Sequence, residues 1–568
     1  MSCWCRLLMW LGAFASVSAA AVAAADDRGD RGRRDPGSGG QRPNIVFIMA
    51  DDLGYTDLSC QGSGYYETPH VDRLASQGLR LQNHHHCQNC APTRAALMTG
   101  QYAPRTGIYT VGNIDRFDWW TRTLRPVDNR TQLPLGRTTI AQCLRDAGYA
   151  TGMFGKWHLG DQGDYHPGRR GFDEAIVSDG QHFDFPTIPK TDHPPGQYLA
   201  DFLTDRAVDF IERNRDRPFF LYLPHFGVHA PREAKANWIE NFRAKRPANG
   251  HRDPVYAAMI ASVDESVGRV LETLDRQGLS ASTVVIFTSD NGGVGGYRRE
   301  GIVQGNDVTD NAPLRSGKGS LYEGGTRVPF LVRWPGQIAA NAECDQPTIH
   351  VDLFPTLLEL AGAKPPQQVL DGESLMRLFL SPQSSLKRDA IFQHFPGYLG
   401  AGPGQWRTTP VSVVQQGDWK LMEFLEEGRL ELYDLRADVG ETRNLVPEEP
   451  AKTHELQARL YRWRADIGAP MPTPNVPRAS RDGKSPAADA MKPELAHADR
   501  ANAESHRADR ANDLSRQDRR RPAVSSAPEN PATAKAGTKP LSGRRRGAAR
   551  RFVRRAVRGV AERPAAQP

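Results

Sequence analysis

Two runs of β-branched and apolar residues constrain the fold of this chain more than any other feature of its sequence. The first run spans Asn44 to Ala50, and the second spans Thr283 to Thr288. Neither run alternates apolar with polar residues, so each predicts a strand that is buried on both faces of a parallel sheet. The sequence therefore favours an α/β fold.

Polar residues follow both runs directly. Asp51 and Asp52 come after the first run, and Asp290 and Asn291 come after the second, on a glycine-rich loop. Adjacent carboxylates at the end of a buried strand repel each other, so their burial would be costly without a cation. Ligand sites in open α/β sheets lie beyond the carboxyl ends of the strands, and oxygen-only ligands favour calcium or magnesium over zinc. The alternative is that these acids are solvated turn residues.

Further segments continue the α/β pattern, and a different pattern then replaces it. The predicted elements of the first part are a helix over 139–147, strands over 149–154, 218–223 and 330–334, and an amphipathic helix over 350–361. Short predicted strands follow at 390–392, 410–415, 419–423 and 430–435, with a helix over 452–467. These predict a small antiparallel sheet on which the last helix packs.

Cys90 lies near the start of another predicted helix. Pro92 fixes φ and lacks an N–H donor, which predicts that Cys90 sits in an extended or turn segment just before the helix. Backbone N–H groups and the positive end of the helix dipole gather there, which suits an anionic substrate. Arg94 adds a cation about one turn further on. Taken alone, however, a cysteine before a proline is more often structural.

The longer strings around these residues resemble signatures of the type I sulfatases, a family of the alkaline phosphatase superfamily. Cys90-Ala91-Pro92-Thr93-Arg94 with Leu97-Met98-Thr99-Gly100 is similar to the first signature, and Gly155-Lys156-Trp157-His158-Leu159-Gly160 is similar to the second. The resemblance covers about residues 42 to 470. It implies a large mixed, mostly parallel sheet with helices on both faces, a smaller C-terminal antiparallel sheet with one packed helix, and an arylsulfatase-like hydrolase of sulfate monoesters.

The resemblance also implies a modified residue and a metal ion. In that family a formylglycine-generating enzyme oxidises the signature cysteine to Cα-formylglycine, whose hydrated aldehyde is the nucleophile. The same fate is implied for Cys90. One divalent ion, usually calcium, is expected to be bound by the formylglycine at Cys90 and by the residues at the two strand ends, Asp51, Asp52, Asp290 and Asn291.

Six residues are implied to be catalytic: Cys90, Arg94, Lys156, His158, His229 and Lys318. By the resemblance, Arg94 orients the hydrated aldehyde, while Lys156 and Lys318 hold the sulfate. His229, in a His-x-Pro string and aided by Lys318, protonates the departing oxygen, and His158 takes a proton as sulfate is released. Lys156, His229 and Lys318 are therefore also the expected substrate-binding residues. His225 is interpreted as structural, although it could line the pocket.

Two other functions remain open on the sequence. A phosphodiesterase or phosphonate monoester hydrolase of the same fold would share the metal ligands, and a non-catalytic polyanion-binding homologue would have an unoxidised Cys90. The expected substrate is a sulfated small molecule or a sulfated polysaccharide, which the sequence does not specify further. Seven loop residues could reach over the pocket: Asp179, His182, Trp119, Trp120, Tyr297, Arg298 and Arg299.

The two ends of the chain differ from its middle. Residues 1–25 are typical of a secretory signal rather than an uncleaved anchor, so the protein is expected to be periplasmic or secreted, and residues 26–41 are predicted to be a disordered leader. Residues 476–543 are predicted to be disordered, and residues 544–568 to form a basic amphipathic helix for an anionic lipid or a sulfated polysaccharide, with an unstructured basic end as the alternative. The net charge of +7 reflects about +12 in residues 476–568 and about −5 elsewhere. No specific nucleic-acid binding is expected.

The expected folded part comprises a catalytic domain over 42–385 and a C-terminal antiparallel subdomain over 386–475. Four cysteines remain once the signal and Cys90 are set aside: Cys60, Cys87, Cys143 and Cys344. An even number is compatible with disulfides in an exported protein, but the sequence alone cannot pair them.

Overall fold

Strands with fully buried side chains organise the fold. The computed structural model describes residues 42–302, 307–402 and 404–476. In chain order the strands are β1 (Asn44–Ala50), β2 (Leu79–Leu81), β3 (His84–His85), β4 (Leu124–Arg125), β5 (Ala150–Gly155), β6 (Glu174–Val177), β7 (Phe219–Pro224), β8 (Thr283–Ser289), β9 (Phe330–Arg333), β10 (Ala342–Cys344), β11 (Thr348–Ile349), β12 (Ile391–Phe395), β13 (Leu399–Gly400), β14 (Trp406–Thr408), β15 (Val411–Gln416), β16 (Trp419–Phe424), β17 (Arg429–Asp434) and β18 (Thr473–Pro474). The α-helices are α1 (Pro69–Ser76), α2 (Cys90–Thr99), α3 (Ala103–Thr106), α4 (Ile140–Asp146), α5 (Leu199–Arg213), α6 (Ala236–Arg243), α7 (Pro254–Arg276), α8 (Glu323–Thr326), α9 (Leu353–Ala361), α10 (Met376–Leu380) and α11 (Pro450–Ile467).

Eight strands form one large mixed sheet, in the order β10-β2-β9-β8-β1-β7-β5-β6. Strand β9 runs antiparallel to both of its neighbours, and the other neighbouring pairs are parallel. Strand β1 lies between β7 and β8 and is hydrogen-bonded on both edges. The prediction of a mixed, mostly parallel sheet is confirmed.

Alternate residues of β1 face two different apolar cores. Ile45 and Met49 pack with α2, α4, α9 and α10 on one face of the sheet, whereas Val46 and Ile48 pack with α1, α5, α6 and α7 on the other. All residues of β1 are buried, because helices cover both faces. This explains why the strand reads as a continuous apolar run.

The smaller antiparallel sheet has the order β12-β15-β16-β17 and is called the C-terminal sheet below. Helix α11 packs on it through Leu456, Leu460 and Trp463, in a core that includes Val414 and Leu421. The predicted antiparallel sheet with one packed helix is therefore confirmed. The boundary between the two expected domains at residue 385 stays a prediction.

Helix α9 begins later than the sequence pattern predicts. Residues His350–Asp352 form a 3₁₀ turn, and α9 starts at Leu353. The Asp352 side chain accepts a hydrogen bond from the Ile349 N–H at 2.9 Å and is paired with Arg388 at 2.6 Å. These contacts hold the entry to the helix in a tighter conformation than its apolar periodicity indicates.

Several predictions about the ends of the chain cannot be compared with the structure. The predicted signal, the leader, the disordered tail from residue 477 and the basic helix lie outside the described residues. Within the described ranges, none of the helices combines the length and apolarity needed to cross a bilayer.

The disulfides that the even cysteine count allowed do not form in the described part of the chain. Cys60, Cys87, Cys143 and Cys344 all have free thiols. They belong to separate elements: Cys143 lies in α4 and Cys344 in β10, whereas the Cys87 Sγ faces the Nε2 atom of His350 at 3.5 Å. The even count was therefore a coincidence of composition.

A buried ion cluster joins the large sheet to the C-terminal sheet. The Lys420 Nζ atom on β16 lies 2.8 Å from Oε1 of Glu323 on α8 and 2.8 Å from Oε1 of Glu441. The three side chains are at most 3% exposed. Burial of ions is costly unless each charge is compensated. Lys420 compensates both carboxylates, and Arg327 Nη1, 3.5 Å from Glu323 Oε2, adds a second cation to one of them.

Replacing Lys420 tests this cluster. The change Lys420→Met should lower the free energy of unfolding by about 3–5 kcal/mol, because it removes the buried cation that lies between Glu323 and Glu441. The midpoint of urea unfolding measures the effect. The control Lys452→Met removes an exposed pair with Glu455 on α11 and should cost less than about 1 kcal/mol. Equal midpoints for the two variants would contradict the assigned role.

Candidate active site

The register of β1 and β8 brings the four predicted metal-binding residues together. The two strands are parallel neighbours, and Ala50 pairs with Ser289 at their ends. Asp51 and Asp52 therefore emerge beside Asp290 and Asn291. All four residues are buried, with exposed fractions between 0% and 3%. Solvated turn acids, the alternative considered for the sequence, do not describe them.

Hydrogen bonds connect the two strand ends. The Asp52 N–H donates to Asp290 Oδ1 at 3.2 Å, and Asn291 Nδ2 donates to Asp52 Oδ1 at 2.9 Å. Asp52 has a left-handed backbone conformation with φ of 65°. Such a conformation is unfavourable for a residue other than glycine and often marks a functional site. It turns the Asp52 side chain towards the same pocket as Asp51.

Cys90 lies within this pocket, at the first residue of α2. Its Sγ atom is 3.4 Å from Asp51 Oδ1 and 3.9 Å from Lys156 Nζ. The expected extended segment ends one residue earlier, because Asn89 is the N-cap with φ of −156° and Pro92 is accommodated in the first turn. A proline is tolerated there because its missing N–H would have no partner within the helix.

The environment of Cys90 disfavours a thiolate. Burial raises the pKa of the Cys90 thiol well above its usual value, and the carboxylates of Asp290 and Asp51 raise it further. The unmodified thiol is therefore neutral near pH 7. A neutral thiol is a poor nucleophile and a poor metal ligand.

Three cations face the acidic residues. Lys156 Nζ lies 2.6 Å from Asp51 Oδ2, and Lys318 Nζ lies 2.8 Å from the Asp52 carboxylate. Arg94 Nη2 donates to Asp290 Oδ2 at 2.7 Å. The predicted residues Arg94, Lys156 and Lys318 are thus brought to one pocket.

The cations and the burial act in opposite directions on the carboxylates. Burial opposes the ionisation of Asp51, but Lys156, His229 and Arg94 hold its pKa well below the usual value. For Asp290, burial and the neighbouring charge of Asp51 prevail and raise the pKa to about 6. The Asp51 carboxylate therefore stays ionised, whereas the neighbouring Asp290 carboxylate takes up a proton in mildly acidic solution.

His229 reaches the pocket from the loop after β7. The Val228 N–H donates to the Asp51 carbonyl at 2.7 Å, and the Asp51 N–H donates to the Gly227 carbonyl at 2.9 Å. These bonds place His229 Nε2 3.8 Å from Asp52 Oδ2. Burial, together with the charges of Lys156 and Lys318, lowers the pKa of His229.

His158 also faces the site, although not through the regular alternation of a strand. Strand β5 ends at Gly155, and His158 has a left-handed conformation with φ of 59°. Its Nδ1 atom is buried and has no hydrogen-bond partner among the described residues. Burial and the charges of Lys156 and Arg94 lower the pKa of His158 well below its usual value. His158 is therefore a neutral imidazole near these cations.

His225 has a different environment, in agreement with its structural interpretation. It is buried, and its Nε2 atom lies 2.9 Å from the Ser266 Oγ atom on α7.

Of the seven loop residues, His182 supports the site, because its Nε2 atom lies 2.8 Å from the His229 carbonyl oxygen. Asp179 lies near Lys156, whose charge opposes the burial that raises the pKa of Asp179. The contacts of the other five, Trp119, Trp120, Tyr297, Arg298 and Arg299, are to residues outside the pocket.

The donor atoms suit a hard divalent cation. Asp51, Asp52, Cys90 and His229 each offer a ligand atom, and these atoms lie within 4.8 Å of one another. The Oδ1 atom of Asn291 is buried without a hydrogen-bond partner, which leaves an amide oxygen available for a ligand. Carboxylate and amide oxygens are the ligands that calcium and magnesium prefer. His229 was predicted to be a catalytic residue of this site but not one of the metal ligands, and its position beside them depends on the fold of the loop after β7.

Comparison with known proteins identifies the family. The family model described as Sulfatase matches residues 43–363, and the one described as N-sulphoglucosamine sulphohydrolase, C-terminal, matches residues 317–466. The chain therefore belongs to the sulfatase family, the type I sulfatases of the alkaline phosphatase superfamily. It is a sulfatase, a hydrolase of sulfuric esters.

Individual relatives agree with this assignment. A sulfatase of Formosa agariphila is 34% identical over 514 residues, which cover 76% of this chain and 90% of the relative. The N-acetylgalactosamine-6-O-sulfatase of Bacteroides thetaiotaomicron is 29% identical, covering 75% of this chain and 94% of the relative. The crystal structure of Ps i-CgsB in complex with k-i-k-neocarrahexaose has a TM-score of 0.64 and 28% identity, over 80% of this chain and 98% of that chain.

Metal addition tests the proposed ion site. A divalent ion that binds only the folded protein raises its stability, by about 2.7 kcal/mol at a concentration of 100 times Kd. We expect calcium to raise Tm at pH 8. The shift should shrink as the pH falls through about 6, because Asp290 then takes up a proton and competes with the ion. Thermal denaturation with calcium, magnesium and zinc at several pH values measures this.

Two variants make that experiment specific. Asp52→Asn should abolish most of the calcium-dependent shift. Asp216→Asn, whose side chain is 91% exposed, should retain it. The assignment of these ligands would be wrong if Asp52→Asn responded to calcium like the unaltered protein.

Proposed function

We propose that this sulfatase cleaves sulfate monoesters of a sulfated saccharide, with a Cα-formylglycine formed from Cys90 as nucleophile and with one calcium ion bound beside it. The observation that carries the proposal is the position of Cys90. Its side chain lies between Asp51 and Lys156 at the start of α2, in a pocket that keeps the unmodified thiol neutral. Oxidation at this position would replace an unreactive group with a hydrated aldehyde.

Residues of the chain would bind and orient the ester. A sulfate monoester carries its negative charge on several oxygens, and Lys156 and Lys318 offer cations for them. Arg94, held by Asp290 and by the Lys156 carbonyl at 2.7 Å, would orient the side chain at position 90. Asp51, Asp52, Asp290 and Asn291 would hold the ion, which when bound supplies positive charge that acidifies the nucleophile and offsets the charge of the sulfate.

Proton transfer would involve His229, Lys318 and His158. His229 and Lys318 both contact the Asp52 carboxylate, so they share one side of the pocket and together would protonate the departing alcohol oxygen. The neutral His158 would accept the proton that is released when sulfate leaves. Lys156, His229 and Lys318 would therefore also be the substrate-binding residues.

A saccharide substrate is favoured by two of the relatives. The Bacteroides relative is named for a sulfated N-acetylgalactosamine, and the Ps i-CgsB structure holds a neocarrahexaose. A steryl-sulfatase of rat is also 32% identical, over 68% of this chain and 78% of the relative, so a sterol or aryl ester is included in the tests below.

Maturation and location follow from the same proposal. Cys90 is 1% exposed in the folded chain, so a formylglycine-generating enzyme would have to act before the fold closes over it. Export to the periplasm or the medium is inferred from the predicted signal at residues 1–25. Contact of the basic tail, residues 544–568, with an anionic surface remains a hypothesis of the same kind.

Replacing Cys90 tests the nucleophile. A serine can accept a sulfo group but cannot release it by forming an aldehyde, so Cys90→Ser should give at most one turnover and should still bind the ion. The alcohol released per enzyme, which should not exceed one, and the intact mass of the protein, which should increase by one sulfo group, are the measurements. The control Cys60→Ser, at a thiol outside the pocket, should turn over normally. Continued turnover by Cys90→Ser would refute the role.

Competition between esters separates this function from phosphoester hydrolysis. An aryl sulfate should have a much higher kcat/KM than the matched aryl phosphate or phosphonate ester, and a sulfated oligosaccharide should compete with it. A structural neighbour, the phosphonate monoester hydrolase of Agrobacterium radiobacter, is 20% identical with a TM-score of 0.56, a likeness that shows the fold alone. Preference for the phosphonate ester would overturn the proposal, and an intact thiol at Cys90 in all molecules would favour a non-catalytic homologue.

A further inference from the structure

A cavity of about 580 Å³ lies between the segment that precedes Lys318 and the C-terminal sheet. Its volume falls in the range of about 300–1,000 Å³ that is typical of small-molecule sites. Its lining includes Arg315 and Ser316 on one side, and Trp406 and Arg429 on the other. Three carboxylates also line it, namely Glu300, which is paired with Arg407, Glu441, which is paired with Lys420, and Glu427. It is therefore a candidate binding site outside the pocket around Cys90.

Arg315 lines this cavity without forming an ion pair with the described residues, although, against the effect of burial, the Glu441 carboxylate lies near enough to raise the pKa of Arg315. Its guanidinium stacks on the Tyr322 ring at 3.8 Å and donates through Nη1 to the Tyr433 hydroxyl and the Glu441 carbonyl. It makes no ion pair within the described part of the chain, and its other donors have no acceptor there. A partly buried guanidinium with unused donors favours an anionic ligand.

The opposite side of the cavity offers an aromatic and a second cationic surface. Trp406 is partly exposed. Arg429 is stacked over the Phe424 ring at 3.8 Å, and its Nη1 atom is paired with Glu431. Arginines held by stacking keep their in-plane donors directed outwards at little entropic cost. Aromatic faces and fixed polar groups together suit a pyranose ring with its hydroxyls.

Ser316 gives an independent indication of a ligand. It is 3% exposed, its backbone has φ of 71°, and its Oγ atom has no hydrogen-bond partner among the described residues. An unpaired buried hydroxyl on a strained backbone is unfavourable unless a ligand completes it. The strain lies two residues before Lys318.

The cavity and the catalytic pocket share one wall. Arg407, which also lines the cavity, donates through Nε to the Lys318 carbonyl at 3.1 Å. The Lys318 side chain points the other way, to Asp52. The cavity and the Lys318 ammonium therefore lie on opposite sides of one loop.

We propose that this cavity binds a second saccharide unit of a polymeric substrate, whose own sulfate or carboxylate lies against Arg315. The inference rests on the proposed function, because it assigns the substrate of the same enzyme as a polyanionic chain longer than a single sugar. The class of ligand is an anionic oligosaccharide.

Calorimetry on the intact protein tests the proposal. The probes are sulfated hexasaccharides from carrageenan and from chondroitin sulfate, together with the monosaccharide sulfates. We expect at least one hexasaccharide to bind, and Arg315→Gln and Trp406→Ala each to weaken its Kd about tenfold, the equivalent of one lost polar or stacking contact. Binding of the monosaccharide sulfates should change much less, because they reach only the pocket around Cys90.

Two further variants keep the test decisive. Arg429→Gln alters a side chain that is 46% exposed, so it should fold even if Arg315→Gln does not, and it should also weaken hexasaccharide binding. The control Arg443→Gln, at an arginine that is 70% exposed and paired with Glu448, should leave binding unchanged.

The possible outcomes separate this inference from the proposed function. If neither hexasaccharide binds, or if the cavity variants bind it as tightly as the control, the cavity is not a subsite, whatever the activity on aryl sulfate. If hexasaccharide binding depends on the cavity but sulfate is never released from any ester, the cavity inference stands and the proposed function fails.

Discussion

The charge balance around four residues at the ends of β1 and β8 determines the rest of the site. Asp51, Asp52 and Asp290 place three carboxylates in a region that is almost free of solvent. Burial of ions on this scale is unfavourable unless cations and hydrogen bonds compensate it. Arg94, Lys156 and Lys318 supply those cations from three separate parts of the chain. Their side chains are therefore placed by the need to neutralise the strand ends, and the same cations are available to an anionic ester.

The C-terminal sheet contributes to this balance from outside the pocket. The segment that carries Lys318 is bonded to Arg407, while Glu323 on the following helix α8 is bonded to Lys420 and Glu441. Lys318 therefore reaches Asp52 from a loop that is fixed on both sides. The C-terminal sheet thus adds to the bonds that the loop makes elsewhere, such as those of the Lys318 N–H to the Gly293 carbonyl and of the Gly319 N–H to the Gln88 carbonyl.

Much of the fold, and the set of site residues, could be predicted because their signals are local. The apolar runs predicted β1 and β8, and the polar residues after them led to the strand-end cluster through a general property of parallel sheets. Features that depend on contacts between residues far apart in the chain leave no such local signal in the sequence. The exact start of α2 at Cys90 and the left-handed turn at His158 depend on the packing around them. The cluster around Lys420 and the cavity at Arg315 join segments about 100 residues apart, so no pattern along the chain marks them.

The protonation states of Lys318 and His229, the two groups beside Asp52, indicate what each contributes to the proposed reaction. Burial opposes a charge on Lys318, but the Asp52 carboxylate raises the pKa of the lysine well above its usual value, so Lys318 keeps its proton. His229 is affected in the opposite sense, since burial and the two lysines lower its pKa. A departing alkoxide needs a proton donor. In the resting pocket Lys318 is the protonated one of these two residues. An arriving sulfate adds negative charge next to both lysines and offsets their effect on the imidazole. The pKa of His229 would then rise, so that His229 can carry a proton of its own beside Lys318, which gives a physical reason for the presence of both residues at one carboxylate.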